Sequence, residues 1–173
     1  SSCRRIAGVE NTSGALTVDG RLTQVDAFPL GIDYERYRQA ARKPEVQRAA
    51  AAFAEEKGHE GCKVMLSVER LDYSKGIPNR LHAFDIFLDR HPEWEGRVVL
   101  VLVTVPSREN VASYRALKKQ IDELVGLING KHSTMDWSPV DYYYRSLSFD
   151  RLASLYAVSD VMLVTPLRDG MNL

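Results

Sequence analysis

Apolar and polar positions follow two different periods along this chain. Residues 44–57 are rich in Ala, Glu, Gln and Arg, which predicts a helix that stops at Gly58. From residue 64 onward, short apolar runs alternate with longer segments whose apolar residues recur every three or four positions. The short runs predict buried strands, and the longer segments predict amphipathic helices.

The alternation predicts a regular order of strands and helices. Strands are predicted at residues 64–68, 97–105, 140–144 and 161–164, and helices at residues 78–90, 111–128 and 149–158. Asn129-Gly130 is predicted to close the helix that begins at residue 111. Strands joined by helical crossovers pair in parallel, so the predicted fold class is α/β, a Rossmann-like parallel sheet with helices on both faces.

The N-terminal part of the chain lacks this alternation. Glycines interrupt residues 1–20, which are predicted to form a loop or a short hairpin. Residues 23–30 alternate weakly, which predicts a short strand. We expect residues 1–22 to be a segment that follows a preceding domain, and residues 23–173 to be one domain that is incomplete at its C-terminus.

Composition excludes several function classes. The chain has 173 residues, of which 45% are hydrophobic and 27% charged, values typical of a globular domain. The 23 Lys and Arg residues balance 23 Asp and Glu residues, so no overall basic field favours nucleic acid or an anionic membrane. Cys3 and Cys62 are too few for a disulfide framework, and no apolar run approaches the about 18 residues of a membrane span. We therefore predict a cytoplasmic domain with no nucleic-acid or membrane partner.

Cationic side chains follow the predicted strands. In open α/β sheets, ligands bind outside the carboxyl ends of the strands. The residues there include Arg70, Lys75, Arg108 and Arg168, which we call the cationic rim. Arginine binds phosphate through a two-pronged donor fork and lysine supplies a compact charge, so the rim predicts a phosphorylated ligand such as a diphosphate.

The same residues also allow purely structural interpretations. An arginine after a strand is commonly a solvated or ion-paired surface residue, and Glu69 and Asp72 could neutralise the two cations nearest to them in sequence. Asp169 could cap a helix or form an Asx turn. The chain has no Walker A motif, no Gly-x-Gly-x-x-Gly fingerprint and no nucleophile elbow. Residue chemistry alone therefore predicts an anion-binding α/β domain and no more.

Two stretches are more specific. Residues 68–76 (Val-Glu-Arg-Leu-Asp-Tyr-Ser-Lys-Gly) and 165–173 (Thr-Pro-Leu-Arg-Asp-Gly-Met-Asn-Leu) together resemble the trehalose-6-phosphate synthase family. The family consists of retaining glycosyltransferases with two facing Rossmann-like domains, the GT-B architecture. Shorter similarities extend the resemblance over residues 25–173, and they lie at residues 29–33, 106–108, 128–131 and 159–161.

The resemblance implies an activity and its substrates. It implies transfer of glucose from UDP-glucose or GDP-glucose to glucose 6-phosphate, which gives trehalose 6-phosphate in trehalose biosynthesis. Carried over by motif, Arg70 and Lys75 bind the donor diphosphate, and Arg108 binds the phosphate of the acceptor. Preorganised Arg70 and Lys75 can stabilise the charge that develops on the departing diphosphate, so no cofactor and no metal is expected.

The second stretch implies contacts with the transferred sugar. Asp169 accepts a hydrogen bond from a hydroxyl of the glucose, and it joins Arg70 and Lys75 as a candidate catalytic residue. The backbone N–H groups that follow lie near the sugar and the phosphates at a helix start, and they belong to Gly170, Met171, Asn172 and Leu173.

The resemblance covers only part of the family's machinery. The family's first domain, with its Gly-rich loop, acceptor-binding aromatic residues and catalytic His, has no counterpart here, and the ribose-binding Glu is expected after Leu173. We expect this chain to be a fragment that is inactive alone. A catalytically silent domain that senses a sugar phosphate is one alternative, and a pseudo-glycosyltransferase that joins cyclitols through nitrogen is another. The charged positions are retained, which favours the enzyme, while the donor base and any homo-oligomer stay open.

Overall fold

The computed structural model describes residues 11–12, 14–26, 29–56 and 61–169. The described residues belong to two compact units, one that ends at Ile32 and one that begins at Asp33. The predicted domain boundary between residues 22 and 23 stays a prediction.

The first unit contains a small antiparallel sheet. Its strands, in spatial order, are β1 (Asn11–Thr12), β2 (Ala15–Val18) and β3 (Arg21–Gln24). The hairpin alternative for this region is therefore correct. Of the strand predicted at residues 23–30, the described residues 25, 26, 29 and 30 do not belong to a strand, because β3 ends at Gln24. Pro29 has no N–H to continue a ladder.

The second unit contains a parallel sheet with helices between its strands. The strands are β4 (Lys63–Arg70), β5 (Val98–Val105), β6 (Val140–Tyr144) and β7 (Val161–Met162). The helices are α1 (Tyr34–Arg42), α2 (Pro44–Glu56), α3 (Ile77–Arg90), α4 (Ala112–His132) and α5 (Phe149–Val158), with 3₁₀ turns at Tyr73–Lys75 and Pro92–Trp94. None of the helices in the described ranges is both long and apolar enough to cross a membrane.

The order of the strands defines a crevice. β4, β5 and β6 lie side by side in chain order, and the chain then crosses back so that β7 pairs with the other side of β4. The strand order is thus β6-β5-β4-β7, and the direction of winding reverses between β4 and β7. Such a reversal leaves a crevice at the carboxyl ends of the strands where α/β proteins bind ligands. We use the name switch-point crevice for the place at the carboxyl ends of β4 and β7 where residues 71–76 and residues 163–169 come together.

Both faces of the sheet are covered. β5 is the most buried strand, and its successive side chains point to opposite faces. Leu100 packs in a core with side chains of α3 and α4, whereas Val101 packs in a second core with side chains of α2 and α5. A parallel sheet with helices on both faces confirms the predicted fold class.

Two helices differ from the prediction. α1 was not predicted because its nine residues are mostly polar and bury only Ala40, although the Asp33 carboxylate caps it by accepting from the Arg36 N–H (3.0 Å). α4 does not end at Asn129-Gly130 but continues to His132. The Asn129 side chain is engaged elsewhere, since its amide exchanges two hydrogen bonds of 2.9 Å with the Val140 backbone.

Candidate functional site

Arg70 occupies the last position of β4. The strand is longer than predicted, so Arg70 pairs in register with Val105 of β5 instead of following the strand. Its side chain is exposed and makes no hydrogen bond or ion pair with the other residues that the structure describes. An uncompensated guanidinium at the carboxyl edge of the sheet is available for an anionic ligand.

Asp72 organises the turn that follows β4. One carboxylate oxygen accepts from the N–H (2.9 Å) and the hydroxyl (2.8 Å) of Ser74, and the other accepts from the hydroxyl of Tyr114 (3.0 Å). Burial raises the pKa of Asp72, but these hydrogen bonds and the charge of Arg108 outweigh it and bring the pKa below its ordinary value. The ionised carboxylate therefore fixes the turn, and it does not neutralise Arg70.

Arg108 lies beyond β5 and is tied to the same network. Its guanidinium donates to the Tyr114 hydroxyl (3.2 Å), which in turn donates to Asp72 (3.0 Å). Arg108 has a φ of 49°, a left-handed conformation that is costly for a residue other than glycine and that concentrates at functional sites. The chain of hydrogen bonds links the loops after β4 and β5 and leaves Arg108 exposed beside the switch-point crevice.

Lys75 and Asp169 meet across the switch-point crevice. The Lys75 ammonium contacts the Asp169 carboxylate, and both side chains are largely shielded from solvent. The two segments are also joined through their backbones, because the Ser74 carbonyl accepts from the N–H groups of Leu167 (2.8 Å) and Arg168 (3.2 Å). Two of the residues that the sequence predicts for the site are therefore brought into contact, although 94 positions separate them.

Gly76 explains how the two segments approach so closely. It has a φ of 66° and is buried, and a Cβ placed there would lie 3.0 Å from Leu167 Cγ. Among the described residues, the segment after β7 is thus the close neighbour that leaves little room for a side chain at position 76.

A buried ion pair lies beneath the rim, and sequence analysis missed it. Arg80 Nη2 donates to Glu69 Oε1 at 2.7 Å, with the two side chains 4% and 8% exposed. Burial raises the pKa of Glu69 above its ordinary value, although the hydrogen bond and the charge of Arg80 oppose the change. Glu69 therefore forms its ion pair with Arg80, while the nearby charge of Lys75 also favours the ionised form of the carboxylate.

A sequence signal for Arg80 does exist. It lies three residues after Ile77 and four before Phe84, so it interrupts the apolar stripe of α3 at a position that should be buried. A charged residue on such a stripe predicts a buried partner, but the sequence gives no indication of which one.

The remaining predicted site residues cannot be placed. Gly170, Met171, Asn172 and Leu173 lie outside the described residues, and so would any helix that Asp169 might cap. Their proposed roles stay predictions.

Comparison with known proteins identifies the family. The family described as Glycosyltransferase family 20 matches residues 1–173. Over all 173 residues the chain is 47% identical to UDP-forming alpha,alpha-trehalose-phosphate synthase 2 of Aspergillus fumigatus, of which it covers 36%. It therefore spans about a third of the length of the curated relatives it matches.

Solved structures agree with the sequence comparison. A UDP-forming alpha,alpha-trehalose-phosphate synthase from Burkholderia xenovorans in complex with glucose-6-phosphate matches with a TM-score of 0.90 and 30% identity, over 98% of this chain and 38% of that chain. The N-terminal domain of Candida albicans trehalose-6-phosphate phosphatase matches with a TM-score of 0.86 and 30% identity, over 98% of this chain and 36% of that chain. By sequence and by fold, the chain belongs to glycosyltransferase family 20.

Proposed function

We propose that the full-length protein containing this chain is a UDP-forming alpha,alpha-trehalose-phosphate synthase. It transfers glucose from UDP-glucose to glucose 6-phosphate and releases UDP and trehalose 6-phosphate. The observation that carries the proposal is the contact between Lys75 and Asp169 at the switch-point crevice, in a chain of this family. Arg70, the last residue of the strand that leads to Lys75, is exposed and makes no side-chain hydrogen bond or ion pair with the other described residues.

Arg70 and Lys75 are proposed to bind the donor diphosphate. In the reaction, the bond between the anomeric carbon and the diphosphate oxygen breaks, and its electron pair leaves with UDP. Two cations at this position stabilise the negative charge that develops, and Lys75 is already held in place by its contact with Asp169. The acceptor hydroxyl forms the new bond on the same face of the sugar, and its proton passes to the departing phosphate, as retention in this family implies.

Asp169 is proposed to bind the transferred glucose. Its carboxylate lies beside the ammonium of Lys75, so a hydrogen-bond acceptor for a hydroxyl stands next to a cation for a phosphate. A hexose joined to a diphosphate presents both groups. The backbone of Gly170, Met171, Asn172 and Leu173 is proposed to complete the contacts with the sugar.

Arg108 is proposed to bind the phosphate of glucose 6-phosphate. Its guanidinium is exposed, donates a hydrogen bond to the Tyr114 hydroxyl and forms no ion pair with a carboxylate of the described residues, so it can take an anionic ligand. Two cationic positions on two different loops suit two phosphorylated substrates. The acceptor's sugar ring would be held by residues outside this chain.

Two finer points belong to the same proposal. UDP is favoured over GDP as the product because the curated relatives are named UDP-forming. A cytoplasmic location and a homo-oligomer are also proposed for the full-length protein.

A catalytically silent sugar-phosphate-sensing domain is the second candidate. It is favoured by one observation, the close structural similarity to a domain of a Candida albicans protein that is named as a phosphatase. A sensor would bind sugar phosphate without breaking the bond between glucose and the diphosphate.

The test uses the full-length protein with UDP-glucose or GDP-glucose, each with and without glucose 6-phosphate. Release of UDP that requires glucose 6-phosphate is the expected result. No nucleotide release from either donor, together with measurable binding of glucose 6-phosphate, would favour the sensor. A parallel reaction with residues 1–173 alone is expected to release no nucleotide.

A further inference from the structure

Arg80 connects the segments that form the switch-point crevice. It lies in the first turn of α3, and its side chain is 4% exposed. Its guanidinium donates four hydrogen bonds, to Ser67 Oγ (2.7 Å), Glu69 Oε1 (2.7 Å), Thr165 Oγ1 (3.0 Å) and the Lys75 carbonyl (3.3 Å). The acceptors belong to three segments, which are β4, the turn after it and the segment after β7.

We propose that Arg80 is a positioning residue that holds Lys75 and Asp169 in the geometry required to bind the nucleotide-sugar donor. The inference rests on the proposed function, since it assigns a role within that site. One contact of Arg80 is the backbone of Lys75 itself, and another is Thr165, four residues before Asp169. A single planar group therefore contacts the backbone of Lys75 and the segment that carries Asp169.

The surrounding packing leaves little freedom for either segment to move alone. The Ser74 carbonyl accepts two N–H groups from the segment after β7, at 2.8 and 3.2 Å. Gly76 approaches Leu167 so closely that a Cβ would lie 3.0 Å from its Cγ. A displacement of Thr165 is therefore transmitted to the turn that carries Lys75.

The chemistry of arginine suits this role better than that of lysine. A guanidinium has five donors in a fixed plane, whereas an ammonium is a compact charge with three rotatable donors. A buried ion pair such as Glu69–Arg80 is weak evidence for stabilisation of the fold, because desolvation of both charges opposes their attraction. Four directional hydrogen bonds from one buried planar group do restrict geometry, and geometry is what a site for a diphosphate and a sugar hydroxyl requires.

The principal test is Arg80→Lys in the full-length protein, with Arg90→Lys as the matched control. Arg90 ends the same helix, and its side chain is exposed. Loss of the planar contacts is expected to raise the KM for UDP-glucose about tenfold and to leave the KM for glucose 6-phosphate within about twofold. The control is expected to change neither KM.

Thr165→Val provides a milder second variant. It removes the acceptor of the Arg80 Nε–H from an exposed residue and keeps the size of the side chain, so it tests the proposal even where Arg80→Lys fails to fold. A smaller rise in the KM for UDP-glucose, again without a change for glucose 6-phosphate, is expected.

Either variant can overturn the inference. A lower unfolding temperature with both KM values unchanged, or an equal rise of both, would make Arg80 a structural residue only. Failure of the proposed function is recognised separately, because the unmodified protein would then release no UDP. If the unmodified protein releases no UDP, crystal structures of it and of Thr165→Val test the role of Arg80 without activity. Loss of the Lys75–Asp169 contact in the variant would support the proposal that Arg80 positions this pair, and retention of the contact would refute it.

Discussion

The two ends of the parallel sheet both carry clusters of charged side chains. Among the described residues, only one of these clusters has every cation paired with a carboxylate. The helices run back across the sheet, so α3 and α4 end near the starts of β5 and β6. An amino-end cluster forms there from five residues, which are Asp85, Asp89, Glu95, Lys131 and His132. At the carboxyl end lie the cationic rim and the pair beneath it.

Opposite charges meet throughout the amino-end cluster. The Lys131 ammonium donates to Asp85 (3.1 Å) and Asp89 (2.6 Å). The His132 ring, 4% exposed, has Nδ1 3.0 Å from Glu95 and Nε2 2.9 Å from Asp85. Ligand atoms of Asp85, Asp89 and His132 lie within 4.8 Å of one another, a spacing that a cation could use, but Lys131 already provides the positive charge.

The carboxyl end is different because two of its cations, Arg70 and Arg108, form no ion pair with a carboxylate of the described residues. Within the described ranges, Arg70 makes no hydrogen bond or ion pair, and Arg108 donates to a neutral tyrosine hydroxyl. Below them, Arg80 and Glu69 form a compensated and buried pair. Similar residue types thus serve structure where carboxylates pair with them, and we propose that they bind ligand where no carboxylate of the described residues does so.

The largest effect is expected from the compensated pair at the carboxyl end. Glu69→Ala leaves the guanidinium of Arg80 buried beside no carboxylate, and it should lower the free energy of unfolding by about 3–5 kcal/mol, measured by urea denaturation of the full-length protein. Glu123→Ala is the matched control, since Glu123 forms an exposed pair with Lys119 on α4 and should have little effect. Equal effects of the two substitutions would remove the distinction between buried and exposed pairs.

The next largest effect is expected from the unmatched cation on β4. Arg70→Ala removes charge-assisted hydrogen bonds to the diphosphate, so kcat/KM for UDP-glucose should fall about a hundredfold while the KM for glucose 6-phosphate changes little. Steady-state kinetics of the full-length protein check this, with Arg90→Ala as the control. An unchanged response to the donor would remove Arg70 from the diphosphate site.

The sequence predicts which residues reach the carboxyl end but not which of them meet there. Alternating periods define β4, β5 and the helices between them, and that is sufficient to bring Arg70, Lys75 and Arg108 to one edge. The order of the strands is a long-range property, and β7 pairs with β4 through only two residues. The contact between Lys75 and Asp169 follows from that order, so periodicity alone could not predict it.

The sequence also does not predict which groups pair with buried polar side chains. Arg80 interrupts an apolar stripe, but its acceptors at Ser67 and Thr165 are 13 and 85 positions away. His132 lies near the end of a helix that the pattern of apolar residues closes too early, and its partners Asp85 and Glu95 belong to other segments. In each case the pattern shows that a side chain is unusual, and only the fold identifies the groups that compensate it.

A smaller effect is expected at the second unmatched cation. Arg108→Ala should raise the KM for glucose 6-phosphate about tenfold, because one charge-assisted contact to phosphate is lost, and it should spare the binding of UDP. Arg97→Ala is the control, since Arg97 is exposed and precedes the amino end of the strand that Arg108 follows. A loss of UDP binding instead would assign Arg108 to the donor.

The smallest effect is expected at the saturated end, and it depends on pH. Burial lowers the pKa of His132, but the hydrogen bonds to Glu95 and Asp85 outweigh it and raise the pKa above 6.5. Folding therefore favours the protonated ring, so its contribution to stability is complete below pH 6.5 and is lost as the pH rises through the raised pKa.

Urea denaturation of the full-length protein and its His132→Gln variant should then give unfolding free energies that differ by about 1 kcal/mol more at pH 6 than at pH 9. His82→Gln, at an exposed position on α3, is the control. Its difference in unfolding free energy from the unmodified protein should be the same at pH 6 and pH 9. A difference that grows with pH would mean that the folded state holds His132 neutral. The amino-end cluster would then lack a positive charge at that position, and its contrast with the carboxyl end would be weaker.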